Sequence, residues 1–134
     1  MKSILSVWLV LQKNDEEYLQ QKVNALAKEN LSPVFTPHLT LLGDTTTGLD
    51  SLKKIVNENF KDIKPFKIKK TNIGQSELFF KTVFIEIELN KKLRETFLKL
   101  SEKTDKRSIS DFKPHISLIY KILPKKKNLK SSKA

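Results

Sequence analysis

An eight-residue motif that occurs twice constrains this chain more than any other feature. The first copy, at residues 35–42, reads Phe-Thr-Pro-His-Leu-Thr-Leu-Leu, and the second, at residues 112–119, reads Phe-Lys-Pro-His-Ile-Ser-Leu-Ile. Four positions are identical, and three others exchange similar side chains. The chain has 2 histidines, and both occupy the same position of the motif. This repeat predicts two equivalent structural units, each built around one copy.

The residue types of the motif predict a short strand. Proline disfavours a helical conformation in the residue before it, and the apolar run that follows is typical of a buried strand. Alternate residues of a strand share a face, so His38 lies with Thr40 and His115 lies with Ser117. Each strand therefore presents an imidazole beside a hydroxyl, with the intervening apolar residues directed into the core.

Three interpretations of the histidine pair are considered. A single histidine on an apolar strand is most often a hydrogen-bonded structural residue. A metal site is a second possibility, but two histidines without cysteine or a nearby carboxylate cluster are a poor ligand set for zinc, so we predict no metal. The placement of every histidine at one position of a repeated motif favours the third interpretation, a catalytic pair.

Composition limits the class of protein. A chain of 134 residues is expected to form one domain, and with no cysteine it has neither disulfides nor thiolate metal sites. No apolar run approaches the ~20 residues that span a membrane. The first apolar segment is better interpreted as a strand than as a signal peptide, so we expect a cytoplasmic location.

The positive charge is concentrated at one end of the chain. The formal net charge is +11, and the segment 124–134 contains lysines but no acidic residue. We therefore predict a folded domain at residues 1–123 and a basic, disordered tail at 124–134. The charge favours an anionic ligand and leaves open an interaction of the tail with RNA.

The order of the predicted elements repeats with the motif. Strand, helix and motif strand follow one another in residues 4–43 and again in 79–120, with a further helix at 50–60 and a strand at 63–73 between them. A turn is predicted around Gly74, Asn90 is expected to cap the helix of the second half, and Leu98 is expected on the buried face of that helix. We predict an α+β fold with two similar lobes related by a pseudo-two-fold axis. In it, two antiparallel sheets form a central groove with the helices packed outside, and His38 and His115 face each other across the groove.

Two His-x-Thr/Ser motifs about 77 residues apart, each on a strand, resemble the two-histidine phosphoesterase superfamily. Within it, the Ser-Val-Trp-Leu segment at 6–9 and the Lys-Pro-His-Ile-Ser-Leu-Ile-Tyr segment at 113–120 are most similar to the cyclic phosphodiesterase branch. The plant and yeast members of that branch open ADP-ribose 1'',2''-cyclic phosphate. The resemblance covers residues 4–121.

The resemblance implies a role for six residues. It makes His38 and His115 catalytic, makes Thr40 and Ser117 ligands of the substrate phosphate, and places Tyr120 and Trp8 near the substrate. Simple alternation along the strand puts Tyr120 on the face opposite His115, so its presence in the groove requires a twist, a bulge or the strand end. A tyrosine packed at the strand end and a tryptophan buried in the core are the structural alternatives.

These residues predict metal-independent hydrolysis of a cyclic phosphodiester to a phosphomonoester, with two histidines as general acid and base and no cofactor. The expected partner of a monomeric chain is a small cyclic phosphate, either ADP-ribose 1'',2''-cyclic phosphate or a nucleoside 2',3'-cyclic phosphate. Two alternatives stay open. One is RNA-end processing by a 2',5'-phosphodiesterase or ligase of the same superfamily, and the other is a module that binds nucleotides or RNA without turnover.

Overall fold

The computed structural model of this chain describes residues 5–76 and 82–120, and its described part has the predicted α+β fold. The helices are α1 (Lys13–Asn30), α2 (Leu49–Phe60) and α3 (Lys91–Lys103), with a short 3-10 helix at Ile109–Asp111. The strands are β1 (Leu5–Val10), β2 (His38–Thr45), β3 (Lys70–Gln75), β4 (Val83–Ile87) and β5 (His115–Ile119).

The described strands form one antiparallel sheet in the order β1-β2-β5-β4-β3. The prediction of two separate sheets is therefore not confirmed. The two motif strands, β2 and β5, lie next to each other at the centre and pair at Leu39 and Ile116. These two residues occupy the same position of the motif, so a pseudo-two-fold axis passes between them. The repeat produced two related halves, but hydrogen bonding across this axis joined them into a single sheet.

The helices cover one face of this sheet. Leu39 and Ile116 are buried against residues of α2 and α3, and Leu118 is buried against Val23 of α1. Burial of a leucine-sized side chain contributes roughly 1.5–3 kcal/mol. Because alternate residues of a strand point to opposite faces, the motif histidines are directed away from these helices. None of the helices in the described part is both long enough and apolar enough to cross a membrane.

Local signals predicted the third helix better than the segment before it. Asn90 caps α3 as predicted, with its side chain accepting a hydrogen bond from the Leu93 N–H at 2.9 Å. The strand predicted at 63–73 begins only at Lys70, and Gly74, predicted to lie in a turn, belongs to that strand. The predicted tail at 124–134 and the start of the strand predicted from residue 79 fall outside the described residues.

Candidate active site

A β-bulge occurs at the same position in both copies of the motif. Trp8 pairs with Thr40 and Val7 with Leu42, so β2 has one extra residue, Leu41, between these two pairs. In the second half, Phe84 pairs with Ser117 and Val83 with Ile119, which makes Leu118 the extra residue of β5. A bulge shifts the alternation by one residue. The residue that follows each motif, Gly43 or Tyr120, is therefore directed to the histidine face.

The central pairing arranges four side chains around one point of the sheet. Since Leu39 is opposite Ile116, continuation of the antiparallel register aligns His38 with Ser117 and Thr40 with His115. These four side chains are called the quartet. Its imidazoles lie at opposite corners and its hydroxyls at the other two. Diagonal neighbours on adjacent antiparallel strands are roughly 7–8 Å apart at Cα, which is room for one phosphate between the rings.

Both imidazoles are held by the same backbone contact. His38 Nδ1 lies 2.7 Å from the Thr36 carbonyl oxygen, and His115 Nδ1 lies 2.9 Å from that of Lys113. A carbonyl oxygen only accepts, so Nδ1 carries the proton in each ring and Nε2 is the nitrogen available for proton exchange with a ligand. The proline between each donor and acceptor restricts the residue before it to extended conformations. The motif thus positions each ring through its own backbone.

His38 lies beneath two aromatic side chains. The Trp8 indole stacks on the imidazole at a centroid separation of 3.4 Å, and the Tyr120 hydroxyl lies 3.4 Å from His38 Nε2. As a result His38 is 6% exposed, although the sequence predicted a ring open to the groove. Burial lowers the pKa of this imidazole, and the hydrogen bond to Thr36 partly opposes the shift. Burial also raises the pKa of the Tyr120 hydroxyl, which therefore stays protonated and donates to Nε2.

His115 has a different aromatic neighbour. The Phe84 ring meets the imidazole edge-on, with centroids 5.5 Å apart and planes inclined by 70°. Phe84 itself is buried over Gly74 of β3, where a Cβ atom would come within 2.5 Å of the ring carbon Cε2. The absence of a side chain at Gly74 therefore allows the ring to pack where it does.

Phe84 is a residue of the candidate site that sequence analysis missed. It pairs with Ser117 as Trp8 pairs with Thr40, so the two aromatic residues occupy equivalent places in the two halves. Comparing distances from each motif would have revealed it, because Trp8 precedes His38 by 30 residues and Phe84 precedes His115 by 31. The low similarity of the two strands outside the motif concealed this relationship.

The six residues that the sequence selected lie in one region. Thr40 and His115 line the same cleft, Ser117 is buried beside Phe84 in the strand register, and Trp8 and Tyr120 both contact His38. Trp8 is 47% exposed and is therefore not buried in the core, whereas Tyr120 does pack at the end of β5, where its ring stacks on Phe35 and its hydroxyl also contacts His38. Within residues 5–76 and 82–120, no group of three metal-ligating side chains is close enough to hold one ion.

Comparison with known proteins agrees with the family resemblance that the two motifs predicted. A family model described as cyclic phosphodiesterase-like protein matches residues 1–133. The chain is also similar to the cyclic phosphodiesterase of Arabidopsis thaliana, with 24% identity over 119 residues. That alignment covers 89% of this chain and 66% of the Arabidopsis protein, slightly less than two thirds of its length. Since the family model spans nearly all of the sequence, this chain belongs to the cyclic phosphodiesterase-like family.

Proposed function

We propose that this chain hydrolyses a cyclic phosphodiester to a phosphomonoester by general acid–base catalysis with His38 and His115. The observation that carries the proposal is the shared contact of the two rings with their own backbone. Hydrogen bonds of 2.7 and 2.9 Å from Nδ1 to a carbonyl oxygen give both imidazoles the same tautomer. Nε2 of each ring is then the atom that exchanges protons with a bound phosphodiester. A histidine with a purely structural role would not require the same Nδ1 contact in both halves.

His38 acts as the base in the proposed reaction. Its pKa is lowered by burial, so the ring is neutral near pH 7 and Nε2 has a lone pair. Nε2 removes a proton from water as the water oxygen forms a bond to phosphorus. The hydrogen bond from the Tyr120 hydroxyl is long at 3.4 Å, so water displaces it at little cost.

His115 acts as the acid. In its protonated form Nε2 donates a proton to the sugar oxygen as the bond from that oxygen to phosphorus breaks. The products are a phosphomonoester and a free hydroxyl, and His115 leaves the step neutral while His38 leaves it protonated. Exchange of protons with solvent restores both rings. Placement at opposite corners of the quartet suits attack and departure on opposite sides of phosphorus.

Thr40 and Ser117 bind the phosphate in this scheme. Their hydroxyls lie at the two other corners of the quartet and donate hydrogen bonds to the non-bridging oxygens, where negative charge increases in the transition state. Removing one such donor typically costs roughly 10²–10³-fold in rate. Trp8, which is half-exposed, covers one face of His38 and has room to move when substrate enters. The scheme uses no metal ion and no cofactor.

The substrates that we propose are ADP-ribose 1'',2''-cyclic phosphate and nucleoside 2',3'-cyclic phosphates. The test is to incubate the purified chain with each compound, and with a cyclic-phosphate-ended oligonucleotide, in the presence and absence of EDTA. Phosphorus NMR identifies the product and the oxygen that retains the phosphate. Turnover of the small substrates with EDTA present supports the proposal. Turnover of the oligonucleotide alone would favour RNA-end processing, and binding without turnover of any compound would favour a recognition module.

A further inference from the structure

Residues 61–70, called the lysine segment below, carry an unbalanced positive charge. Within residues 5–76 and 82–120 there are 18 lysines and arginines and 14 aspartates and glutamates. The lysine segment alone has five of these lysines and one of the acidic residues, Asp62. The other described residues have 13 basic and 13 acidic side chains, so their formal charges cancel. The net positive charge of the described part therefore comes from ten consecutive residues.

The lysine segment joins α2 to β3, the strand at one edge of the sheet. Two of its carbonyl oxygens are held by residues that follow β4. The Lys67 oxygen accepts a hydrogen bond of 3.1 Å from Asn90 Nδ2, and the Lys69 oxygen accepts one of 2.7 Å from the Glu88 N–H. The backbone that carries these lysines is thus fixed to the body of the fold.

The side chains of the lysine segment divide into buried apolar and exposed charged groups. Phe66 and Ile68 pack against the hydrophobic core. The five lysines are all exposed, and none of them forms an ion pair with an acidic residue of the described part: Lys61, Lys64, Lys67, Lys69 and Lys70. The segment therefore presents several cations to solvent along one path on the surface.

A role at the sheet edge explains only one of these lysines. Lysine on an edge strand prevents pairing with the strands of another molecule. Lys70 lies within β3 and serves this purpose, but the other four lysines precede the strand. A charged surface that only keeps a protein soluble mixes both signs, as the rest of the described part does. The excess of one sign therefore favours an anionic partner.

The arrangement of the charges indicates which kind of anion fits. Five cations spread over ten residues can contact several charges of a polymer at once, whereas a small anion reaches few of them. An anionic membrane also attracts lysines, but segments that bind membranes insert apolar side chains. Here Phe66 and Ile68 pack on the core, and Ile63 is the one exposed large hydrophobic residue of the segment. The phosphate backbone of a nucleic acid is the better match.

We propose that the lysine segment binds the phosphate backbone of a single-stranded nucleic acid, without regard to base sequence. A flexible single strand can follow the narrow edge of the sheet, and its phosphates release counterions when lysines neutralise them. The surface is separate from the quartet, because β4 lies between β3 and the motif strand β5. The inference goes beyond the proposed hydrolysis and does not depend on it.

The test measures binding of a labelled oligouridylate to the full chain by fluorescence anisotropy at several salt concentrations. The main variant changes Lys64, Lys67 and Lys69 to glutamine. Each phosphate contact of a single strand contributes about 0.7 to the slope of log K against log salt. The variant should therefore bind at least about tenfold more weakly at low salt, with a slope that is flatter by about 2. Arginine at the same three positions keeps the charge and should retain the binding.

Two matched variants test whether the position of the charge matters. Changing Lys13, Lys22 and Lys28 of α1 to glutamine removes the same number of exposed charges and should leave the affinity and the salt slope close to those of the wild type. Changing the lysines at 125–127 to glutamine tests the basic residues outside the described part. Circular dichroism checks that each variant is folded, and no turnover is needed.

An unchanged affinity and salt slope in the folded Lys64, Lys67 and Lys69 glutamine variant would overturn the inference. An equal loss in the α1 variant would also overturn it, because binding would then respond to net charge alone. So would a loss confined to the variant at 125–127, which would assign the binding to the tail. Binding of phosphatidylserine vesicles or polyglutamate, but not of the oligouridylate, would identify a membrane or an acidic protein as the partner instead.

Discussion

The two halves of this protein use one motif to hold two histidines in different surroundings. His38 is stacked under Trp8 and contacted by Tyr120, whereas His115 meets the edge of Phe84 and borders a cleft. The backbone contact of each ring is nevertheless the same. The motif therefore determines how each ring is held, and residues outside the motif determine how basic and how accessible the ring is.

The largest expected effect comes from removing either ring. His38→Ala and His115→Ala should each lower kcat by roughly 10²–10⁴-fold, because each variant loses one proton-transfer group. Rates of cyclic phosphate hydrolysis, with circular dichroism as the check on folding, provide the measurement. The double variant should be little worse than either single variant, since residues that act as a unit are not additive. If kcat fell by less than tenfold in one of the two single variants, the histidine removed in that variant would not transfer a proton in the reaction.

Removing the hydroxyls should have the next largest effect. Thr40→Ala and Ser117→Ala should each lower kcat by roughly 10²–10³-fold through loss of a phosphate donor. The exchanges Thr40→Ser and Ser117→Thr compare the halves more sharply. Thr40→Ser keeps the donor at a partly buried site and should retain most activity, whereas Ser117→Thr adds a methyl group at a site that is 7% exposed and should cost more. Equal activity of the two variants would contradict this difference in packing.

A smaller effect is expected at Gly74 in β3. Gly74→Ala should destabilise the fold by about 1–3 kcal/mol, because the added Cβ overlaps the Phe84 ring. Thermal or urea unfolding measures the change, and Gly48→Ala is the control because its Cβ would meet no atom within 4 Å. Neither glycine has a positive φ, so the comparison reports packing rather than backbone strain. If Gly74→Ala proved as stable as the control, Phe84 would not be confined as the structure indicates.

The smallest expected effect is on the pH profile. The proposed base must be neutral, so a lowered His38 pKa moves the acidic limb of kcat/KM below the usual histidine value of 6.5. Trp8→Ala should expose the ring, raise its pKa towards 6.5 and shift that limb to higher pH. Phe84→Leu should leave the same limb in place, because Phe84 contacts the other histidine. Identical shifts in the two variants would argue against different roles for the halves.

The lowered His38 pKa also affects stability. Since the unfolded chain binds a proton to this residue more readily than the folded chain does, the contribution of the neutral ring is present above the unfolded pKa of about 6.5 and is lost as the pH falls. Unfolding measured across this range in the wild type and in His38→Phe separates this contribution from that of the carboxylates.

Sequence reasoning predicted elements whose signals are local. Asn90 caps a helix because its side chain reaches an N–H three residues later, and the prolines impose extended backbone on the residue before them. Sequence reasoning was wrong where packing against the sheet determines which side chains are buried. Leu98 was expected in the core but is 39% exposed, and Leu100 is fully buried, because the position of α3 on the sheet selects which face is covered. Gly74 similarly lies in a strand, where the absence of a side chain leaves room for the Phe84 ring.

Local sequence alone specifies that each histidine shares a strand face with a hydroxyl and that each proline restricts the backbone before it. These features depend on neighbours in the chain. Contacts between distant segments determine that the two motif strands pair at Leu39 and Ile116 and that bulges bring Tyr120 and Gly43 to the histidine face. They also determine that one ring is covered while the other borders a cleft. These outcomes depend on register and packing between segments distant in sequence, where hydrogen bonding and side-chain volume, rather than local propensity, determine the arrangement.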